Sequence, residues 1–438
     1  MKEEKTRVFL TGATGVMGMA GLKELVRFPE EYEVTVLARD SKRNHEKLSK
    51  FEDRGVKVIW GDLSDEKALR EGIHEADIVL HVGGMVSPEA DRHPKKTLEV
   101  NIGSMQLISR IIKEIETKDP QRTIKIVYIG SVSQYGTKKV PEHWGKVGDK
   151  LKAAKFDAYA VSKIIAERVL VESGVKKWVS LRQTWILHPG LLRKANDPIS
   201  FHVPIKGVLE WVTVEDSGRL LERVCRKDLP DSFWCNYYNV GGGEAFRLTN
   251  LEFERSILKG IGCPPPEKIF EPHWFATDNF HGMWFLDSDN LENILHFRNI
   301  LDTPGQAVDR MKKSLPFYFK LAPLAPAFAI KKFMKGVACD PELGTLTWLK
   351  NGDEEKIAAF WGSKENHAKI ESWSRLEEKR LCKSCEKQES NISGSSNLRE
   401  KICERGHVFP TSEALEAGGH GCPHCLFIDS QVDCPKIS

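Results

Sequence analysis

Short apolar runs alternate with helical patterns through the first 190 residues of the chain. The runs are rich in β-branched residues, and each ends in glycines or a polar turn. Such runs are typical of strands buried on both faces of a parallel sheet. The pattern predicts a doubly wound α/β fold of the Rossmann type, with ligands at the carboxyl ends of the strands. The strands are predicted within residues 8–18, 33–40, 56–63, 76–84 and 124–131.

The first apolar run breaks into three glycines, Gly12, Gly15 and Gly18, and then continues as a helical pattern. A backbone that approaches a pyrophosphate closely needs positions without a Cβ atom, and the N-terminus of the following helix attracts the anion. The turn is therefore predicted to bind a dinucleotide. The predicted contacts are Gly12, Thr14, Gly15, Val16, Met17 and Gly18.

The end of the second strand bears on which dinucleotide binds. An acidic side chain there accepts hydrogen bonds from the adenosine ribose, whereas this chain has Ala38 and Arg39. Arg39 can pair with a 2′-phosphate, so NADP(H) is favoured over NAD(H), although Asp40 can still reach the ribose. The ends of the third and fourth strands add further predicted cofactor contacts, with Asp62 on the adenine amino group: Asp62, Leu63, His81, Val82 and Gly83.

Candidate catalytic residues follow the fifth strand. Ser131 ends that strand, and Tyr159 and Lys163 lie four residues apart on a predicted helix. Residues at this spacing share one face of a helix. A nearby ammonium stabilises a phenolate, which brings a phenol towards acid–base work at neutral pH. We expect Ser131 to hold the substrate oxygen while Tyr159 transfers the proton.

Taken together, these motifs resemble the extended short-chain dehydrogenase/reductase superfamily, of the NAD-dependent epimerase/dehydratase kind. The resemblance covers about residues 6–312 and implies that Ser131, Tyr159 and Lys163 carry the chemistry. It also implies that Lys163 binds the nicotinamide ribose and that Asn101 supports a proton relay. Two segments depart from the family pattern: Gly83-Gly84, where alanines are common, and His188, where glycine is frequent. The matching segments are 11–18, 61–63, 81–84, 101, 131–136, 159–163, 181–190, 238–243 and 287–297.

Family members differ in reaction, and three functions stay open. Val132-Ser133 replaces the acidic pair that dehydratases of the family carry, so dehydration is disfavoured. Arg39-Asp40 resembles NADPH-dependent reductases of the dihydroflavonol and cinnamoyl type. We therefore expect an oxidoreductase that interconverts a ketone or aldehyde and an alcohol. The alternatives are a nucleotide-sugar epimerase with retained NAD, and a dinucleotide-sensing regulator that acts through the C-terminal tail.

Residues 191–340 are rich in aromatic side chains, which favours an apolar, steroid-like or phenolic substrate. Packing within the domain's own core accounts equally well for any single ring. The rings concerned are Trp211, Phe233, Trp234, Tyr237, Phe270, Trp274, Phe275, Phe280, Trp284 and Phe285.

The 438 residues carry a formal charge of +3, which says little about partners. No apolar leader or spanning segment is evident in the sequence, so we expect a cytoplasmic protein. We also expect a homo-oligomer. Residues 315–334 are apolar, broken by prolines and followed by lysines. This segment is predicted to be a packed connector, with peripheral membrane contact as the alternative.

The sequence predicts four regions. Residues 1–190 form the cofactor domain, with strands that return to it from about 208–245. Residues 191–340 bind the substrate, residues 341–380 form a helical connector, and residues 381–438 form a separate tail.

The tail contains closely spaced cysteines and a histidine. Thiolate and imidazole pairs at short spacing close tetrahedral sites on structural Zn²⁺. The tail resembles small zinc-ribbon or treble-clef domains, which implies an interaction module for a protein or nucleic-acid partner. The predicted ligands are Cys403, His407, Cys422 and Cys425, with Cys382 and Cys385 as alternative partners or half of a second site.

Overall fold

A computed structural model describes residues 4–138, 143–193, 197–315 and 325–373, together with the backbone of 400–402 and 408–410. The chain divides into two compact units, Met1–Ile370 and Glu371–Ser438. In the second unit the described residues form one antiparallel pair of short strands. The first unit contains the sheet and the candidate site.

Seven parallel strands form the central sheet, in the order β11-β7-β5-β4-β1-β2-β3. Small two-stranded pairs are formed by β10 with β8, β12 with β9, and β13 with β6. The strands are β1 (Thr6–Thr11), β2 (Tyr32–Ala38), β3 (Lys57–Trp60), β4 (Ile78–His81), β5 (Lys125–Ser131), β6 (Trp144–Gly145), β7 (Lys177–Gln183), β8 (Ile186–Leu187), β9 (Val208–Glu210), β10 (Val212–Thr213), β11 (Asn236–Val240), β12 (Arg247–Thr249), β13 (Trp284–Phe285), β14 (Glu400–Ile402) and β15 (Val408–Pro410).

Helices cover both faces of the sheet and then continue beyond it. The helices of the cofactor-binding part are α1 (Val16–Leu25), α2 (Lys42–Glu52), α3 (Glu66–His74), α4 (Glu89–Arg92), α5 (Pro94–Lys118), α6 (Ala158–Glu172) and α8 (Val214–Arg223). The remaining helices are α7 (Pro189–Arg193), α9 (Asn250–Ile261), α10 (Pro266–Ile269), α11 (Ser288–Leu295), α12 (Pro304–Lys313), α13 (Ala327–Ala338), α14 (Thr345–Asn351), α15 (Glu354–Trp361) and α16 (Lys364–Ala368).

The two faces of the sheet bury separate apolar clusters. One cluster joins the sheet to α1, α2 and α8, and the other joins it to α3, α5 and α6. Because both faces are covered, the strands need apolar side chains in both directions, which explains their continuous apolar runs. The predicted α/β class and the five predicted strands are confirmed, and β11 pairs with β7 in parallel, as the predicted return to the sheet requires.

The strand order reverses between β1 and β4. From β1 the chain builds outward through β2 and β3, and it then crosses to β4 and builds the other half of the sheet. Open parallel sheets bind ligands in the crevice at such a switch point. The glycine turn after β1 and the predicted catalytic serine at the end of β5 therefore lie at the same edge.

Most of the aromatic residues singled out in the substrate region pack into the core. Phe280, Trp284 and Tyr237 are only partly buried. The others are buried, so their apolar character serves folding and not ligand binding. These buried rings are Trp211, Phe233, Trp234, Phe270, Trp274, Phe275 and Phe285.

Helices α14 and α15 pack onto the segment that follows α10. The indole of Trp361 donates to the carbonyl of Phe275 at 3.0 Å, and the Thr345 hydroxyl donates to the carbonyl of Trp274 at 2.7 Å. The backbone N–H of Thr277 donates to the carbonyl of Phe360 at 3.0 Å. These contacts fix the chain just before it reaches Phe280 and His281.

Two buried histidines make the first unit acid-sensitive. Burial lowers the pKa of His81 to about 3 and that of His202 to about 4. Both stay neutral in the folded protein, whereas the unfolded chain takes up protons below about pH 6.5. Stability is therefore lost as the pH falls from about 6.5 towards 3 to 4, and each histidine costs about 2 kcal/mol at pH 5.

Urea unfolding at pH 7 and pH 5 measures this loss. The Nε2 atom of His202 bonds to the carbonyl of Leu343 at 2.7 Å. His202→Gln keeps a donor there and removes the titration, so we expect its pH dependence to be smaller by about 2 kcal/mol. An unchanged pH dependence would show that His202 takes up a proton in the folded state.

Candidate active site at the carboxyl edge of the sheet

The turn after β1 leaves no room for side chains. Gly12 has a φ angle of +75°, and a Cβ atom on it would lie 2.7 Å from the backbone of Gly83. A Cβ atom on Gly18 would lie 2.2 Å from the carbonyl oxygen of Gly12. Helix α1 begins directly after Gly15, so its first N–H groups open onto this turn. Such a turn fits the pyrophosphate of a dinucleotide.

Val16 and Thr14 lie at the mouth of the turn, while Met17 is buried beneath it. A further cation reaches this place from α2: the Lys47 ammonium donates to the carbonyl of Thr14 at 2.8 Å. Burial and the charge of Arg43 lower the pKa of Lys47. Lys47 could not be predicted from the sequence, because no local pattern links a helix residue to a turn 33 positions earlier.

The two charged residues that follow β2, Arg39 and Asp40, differ in their contacts. Asp40 bonds to the Nε2 atom of His45 at 2.8 Å, and the His45 ring stacks on Trp60 at 3.8 Å. The Arg39 side chain is exposed and makes no hydrogen bond or ion pair within the described residues. Asp62 lies exposed after β3, where hydrogen bonds from Ser64 lower its pKa.

Gly83 and Gly84 have a packing reason for departing from the family pattern. A Cβ atom on Gly84 would lie 2.9 Å from the amide oxygen of Asn101. That amide accepts from the N–H of Met85 at 2.7 Å and donates to the Met85 carbonyl and to Ser162 Oγ. The Asn101 side chain thus ties the turn after β4 to α6. Its role in a proton relay stays a prediction.

His81 points into the protein interior. Its Nδ1 atom bonds to Thr11 Oγ1 at 2.9 Å, and its Nε2 atom bonds to Ser104 Oγ at 3.2 Å. The same Thr11 hydroxyl accepts from the N–H of Gly83 at 3.1 Å. His81 therefore connects the carboxyl ends of β1 and β4 on the side that faces the protein interior. The partly exposed Val82 and Gly83 lie above it, at the edge where a cofactor would pass.

Ser131 is held by Ser133 and lies near Tyr159. Ser133 Oγ donates to Ser131 Oγ at 2.9 Å, and the Ser133 N–H donates to the same oxygen at 3.2 Å. The Tyr159 phenol lies close enough to the Ser131 hydroxyl for Ser131 to affect the pKa of Tyr159. Because Ser131 Oγ accepts from Ser133, its own proton is available to Tyr159 or to a substrate oxygen. The predicted catalytic serine and tyrosine are thus brought together.

Lys163 lies on the same face of α6 as Tyr159. Its Nζ atom is 5.7 Å from the Tyr159 ring centre and donates to the carbonyl of Ile129 at 2.7 Å. Burial lowers the pKa of Lys163 to about 8. At pH 7 most of Lys163 is therefore still in the ammonium form, by a smaller margin than for an exposed lysine. Burial raises the pKa of Tyr159 to about 12, and the nearby Ser131 hydroxyl opposes this rise.

A buried ion pair supports the back of α6. Glu167 accepts from Arg182 Nη2 at 2.7 Å and from Arg182 Nε at 3.0 Å, and Ser180 donates to the same carboxylate at 2.5 Å. The other guanidinium nitrogen of Arg182 donates to the Tyr135 hydroxyl at 2.8 Å. This network joins α6 to β7 and to the turn after Ser131, so it positions the helix that carries Tyr159.

Three segments that carry or follow catalytic residues meet at His281. The Trp185 indole, just past β7, donates to His281 Nε2 at 3.1 Å. The Nδ1 atom lies 3.4 Å from a carboxylate oxygen of Asp157, which caps α6 two residues before Tyr159. The backbone of His281 bridges to Thr137, beyond the Ser131 turn. We call Trp185, Phe280 and His281 the aromatic wall, since their rings lie 4.6–5.9 Å apart.

The predicted zinc ligands Cys403, His407, Cys422 and Cys425, and the alternatives Cys382 and Cys385, lie outside the described residues. In the part of the chain that is described, no group of three or more His, Cys, Asp or Glu side chains is arranged to hold a metal ion. Nor does any helix of that part combine the length and apolar character needed to cross a bilayer.

Residues 8–184 match the NAD dependent epimerase/dehydratase family. A UDP-glucose 4-epimerase of Rickettsia massiliae is 25% identical over 116 residues, which are 25% of this chain and 34% of that protein. A probable pinoresinol-lariciresinol reductase of Arabidopsis thaliana is 27% identical over 177 residues, which are 40% of this chain and 46% of that protein. The chain thus matches less than half the length of these curated relatives.

Among solved structures, the UDP-glucose 4-epimerase of Bifidobacterium longum in complex with NAD+ and UDP has a TM-score of 0.54. It is 20% identical, and the match covers 70% of this chain and 99% of that one. This likeness shows the fold. The family match spans the cofactor-binding part of the chain and supports an NAD(P)-dependent oxidoreductase, as the sequence predicts.

Proposed function

We propose that the protein is an NADP(H)-dependent oxidoreductase that interconverts a carbonyl and an alcohol on an apolar substrate. The observation that carries this proposal is the placement of Ser131, which Ser133 holds, near Tyr159, with Lys163 beside the phenol. A bound nicotinamide would supply the hydride. Ser131 would orient the substrate oxygen, and Tyr159 would donate its proton to that oxygen during reduction.

The remaining groups stabilise the phenolate that Tyr159 becomes. After proton transfer, the Ser131 hydroxyl can donate a hydrogen bond to the phenolate oxygen, and the Lys163 ammonium lowers the energy of the negative charge. Because Ser131 Oγ accepts a hydrogen bond from Ser133, the Ser131 proton points away from Ser133. Ser133 stands in the segment where dehydratases of the family carry acids, and a hydroxyl there cannot serve as the second acid–base group that loss of water requires. The arrangement therefore favours simple carbonyl reduction over dehydration.

The choice of NADP(H) rests on Arg39. Its guanidinium is exposed and makes no hydrogen bond or ion pair within the described residues, whereas Asp40, which could bind a ribose hydroxyl, is engaged by His45. Arg43 and Lys47 add positive charge on the adjoining helix. A 2′-phosphate would meet a cationic surface here.

Arg39→Ser is expected to raise the KM for NADPH by about 30-fold and the KM for NADH by less than about threefold, because only NADPH loses a charge-assisted contact. Steady-state kinetics with each cofactor measures both values. Lys23→Ser, an exposed cation on α1, is the control. Equal changes for the two cofactors would contradict the assignment of Arg39 to the 2′-phosphate.

The aromatic wall is proposed to bind the ring of the substrate. Trp185 is partly exposed directly past the carboxyl end of β7, and in the sheet Gln183 pairs with Ser131. Trp185→Leu is expected to raise the KM for acetophenone about tenfold, since a flat ring loses its stacking partner. The KM for cyclohexyl methyl ketone should change by less than about threefold, and kcat should be similar for both.

Two comparisons sharpen this prediction. Trp178→Phe alters an indole at the opposite end of β7 and should leave both KM values unchanged. His281→Leu removes the acceptor that holds the Trp185 indole, so it should reproduce part of the effect. His281→Gln, which supplies an amide oxygen as acceptor, should restore part of the discrimination. An equal rise in KM for the two ketones would contradict a role of Trp185 in ring recognition.

A nucleotide-sugar epimerase with retained NAD is the second candidate, because UDP-glucose 4-epimerases are among the similar proteins. Incubation of the protein with NADPH or NADH and a panel of ketones separates the two. The proposal expects a loss of absorbance at the reduced-cofactor band. An epimerase would show none, and native mass spectrometry would find NAD bound to the purified protein.

The C-terminal tail is proposed to bind structural Zn²⁺ through Cys403, His407, Cys422 and Cys425 and to contact a protein or nucleic-acid partner. Native mass spectrometry of the full chain reports the zinc count and the subunit number together. A regulator that senses a dinucleotide through this tail would keep its biological activity when Ser131, Tyr159 and Lys163 are replaced, and would lose it with Cys422.

A further inference from the structure

Helix α13 turns an unusual surface to solvent. Phe328 is 76% exposed and Phe333 is 56% exposed, although large aromatic side chains are rarely left in water. They are held there by the opposite side of the same helix, where Met334 and Ala338 are buried. The exposed phenylalanines are therefore part of a fixed surface and are not the result of a frayed end.

The same surface is cationic. Lys332 and Lys335 are exposed and form no ion pair within the described residues, while Lys331 pairs with Glu271 and fastens the helix to the first unit. Helix α13 contains no acidic residue. At 100° per residue, Lys332 lies between Phe328 and Phe333 around the helix, and Lys335 lies beside Phe328.

Exposed aromatic rings interleaved with lysines match the surface of an anionic bilayer. Aromatic side chains favour the boundary between headgroups and acyl chains, and lysines beside them bind the negative headgroups. A second protein surface would be expected to supply acids opposite the lysines. Among the described residues, the acid that forms an ion pair with α13 is Glu271, which binds Lys331 on the side of the helix that packs on the protein.

We propose that α13 docks the protein onto anionic membrane surfaces, with Phe328 and Phe333 inserted among the headgroups and Lys332 and Lys335 paired with lipid phosphates or carboxylates. Helix α13 packs on α10 and on the segment Pro198–Phe201. The backbone of Phe201 in turn accepts from the N–H of Ala276, five residues before His281. Docking would therefore place the substrate-binding part near the lipid bilayer, in which apolar molecules dissolve.

Co-sedimentation of the full chain with vesicles tests this proposal. Vesicles of phosphatidylcholine containing about 30 mol% phosphatidylserine should bind the protein at low salt, and pure phosphatidylcholine should bind much less. Lys332→Gln with Lys335→Gln should weaken binding about 25-fold, which corresponds to about 1 kcal/mol for each lysine. Phe328→Ser with Phe333→Ser should weaken binding to both kinds of vesicle.

The matched control is Ile300→Ser with Leu301→Ser. These two residues lie in a turn outside α13, and they are 81% and 82% exposed. This control should bind vesicles as the unaltered protein does. The proposal is overturned if no vesicle sediments the protein or if the α13 variants bind as well as the control. It is also overturned if the phenylalanine variant instead dissociates a dimer, since the surface would then join two copies of the chain.

Discussion

Tyr159→Phe is expected to lower kcat for ketone reduction by about 10³-fold, because it removes the proton that the substrate oxygen must receive. The aromatic ring stays, and the glycine turn that holds the cofactor is untouched. The affinity for NADPH should therefore change by less than about twofold. Single-turnover kinetics and NADPH fluorescence on binding measure the two quantities separately.

Tyr237→Phe is the control for this replacement. Tyr237 is partly exposed on β11, and its hydroxyl makes no hydrogen bond within the described residues. Its removal should leave kcat unchanged. If Tyr159→Phe reduces ketones as fast as the Tyr237→Phe control while it still binds NADPH, the proton comes from another group and the assignment of Tyr159 is wrong.

Glu167→Ala is expected to lower the free energy of unfolding of the first unit by about 3–5 kcal/mol. The Arg182 guanidinium would remain buried without its carboxylate, and both residues are now at most 5% exposed. Ser180 would lose its acceptor as well. Thermal unfolding should shift by on the order of 5 °C for a unit of this size.

The same helix offers a matched control. Glu172 pairs with Arg168 on the exposed side of α6, and its replacement by alanine should cost less than about 0.5 kcal/mol. The double replacement Glu167→Leu with Arg182→Met removes both buried charges and should recover part of the lost stability. A Glu167→Ala protein as stable as the Glu172→Ala control would show that water reaches Arg182.

The parts of this protein that local patterns encode could be predicted from the sequence. A strand buried on both faces needs a continuous apolar run, and a turn that a Cβ atom would block needs glycine, so β1 and Gly12 were evident. The four-residue spacing of Tyr159 and Lys163 places both on one face of a helix wherever that helix lies. Ser131 followed because the strand ends at it.

Contacts between distant parts of the chain left no such signal. The Glu167–Arg182 pair joins a helix to a strand, and a glutamate on an amphipathic helix is ordinarily solvated. His281 meets Asp157 across 124 positions, so only the N-cap character of Asp157 is visible locally. The same holds for residues 341–380, which are predicted to be a helical connector. No local pattern indicates that α14 and α15 of this region pack on the segment before His281.

The aromatic residues of the substrate region illustrate why composition alone misleads. Ten rings favoured an apolar substrate, yet most of them fill the core. The ring that follows β7 most closely, Trp185, was not among them. It is distinguished only by its partner, because a hydrogen bond to His281 fixes the indole beside the helix that carries Tyr159.

Transfer of deuterium to a ketone from NADPH that carries deuterium at both C4 positions tests the central claim most directly. We expect the product alcohol to carry deuterium on its carbinol carbon, in an amount equal to the NADPH consumed, and Tyr159→Phe to slow the transfer about 10³-fold. Recovery of unconsumed, fully deuterated NADPH after incubation with every carbonyl compound in the panel would contradict it.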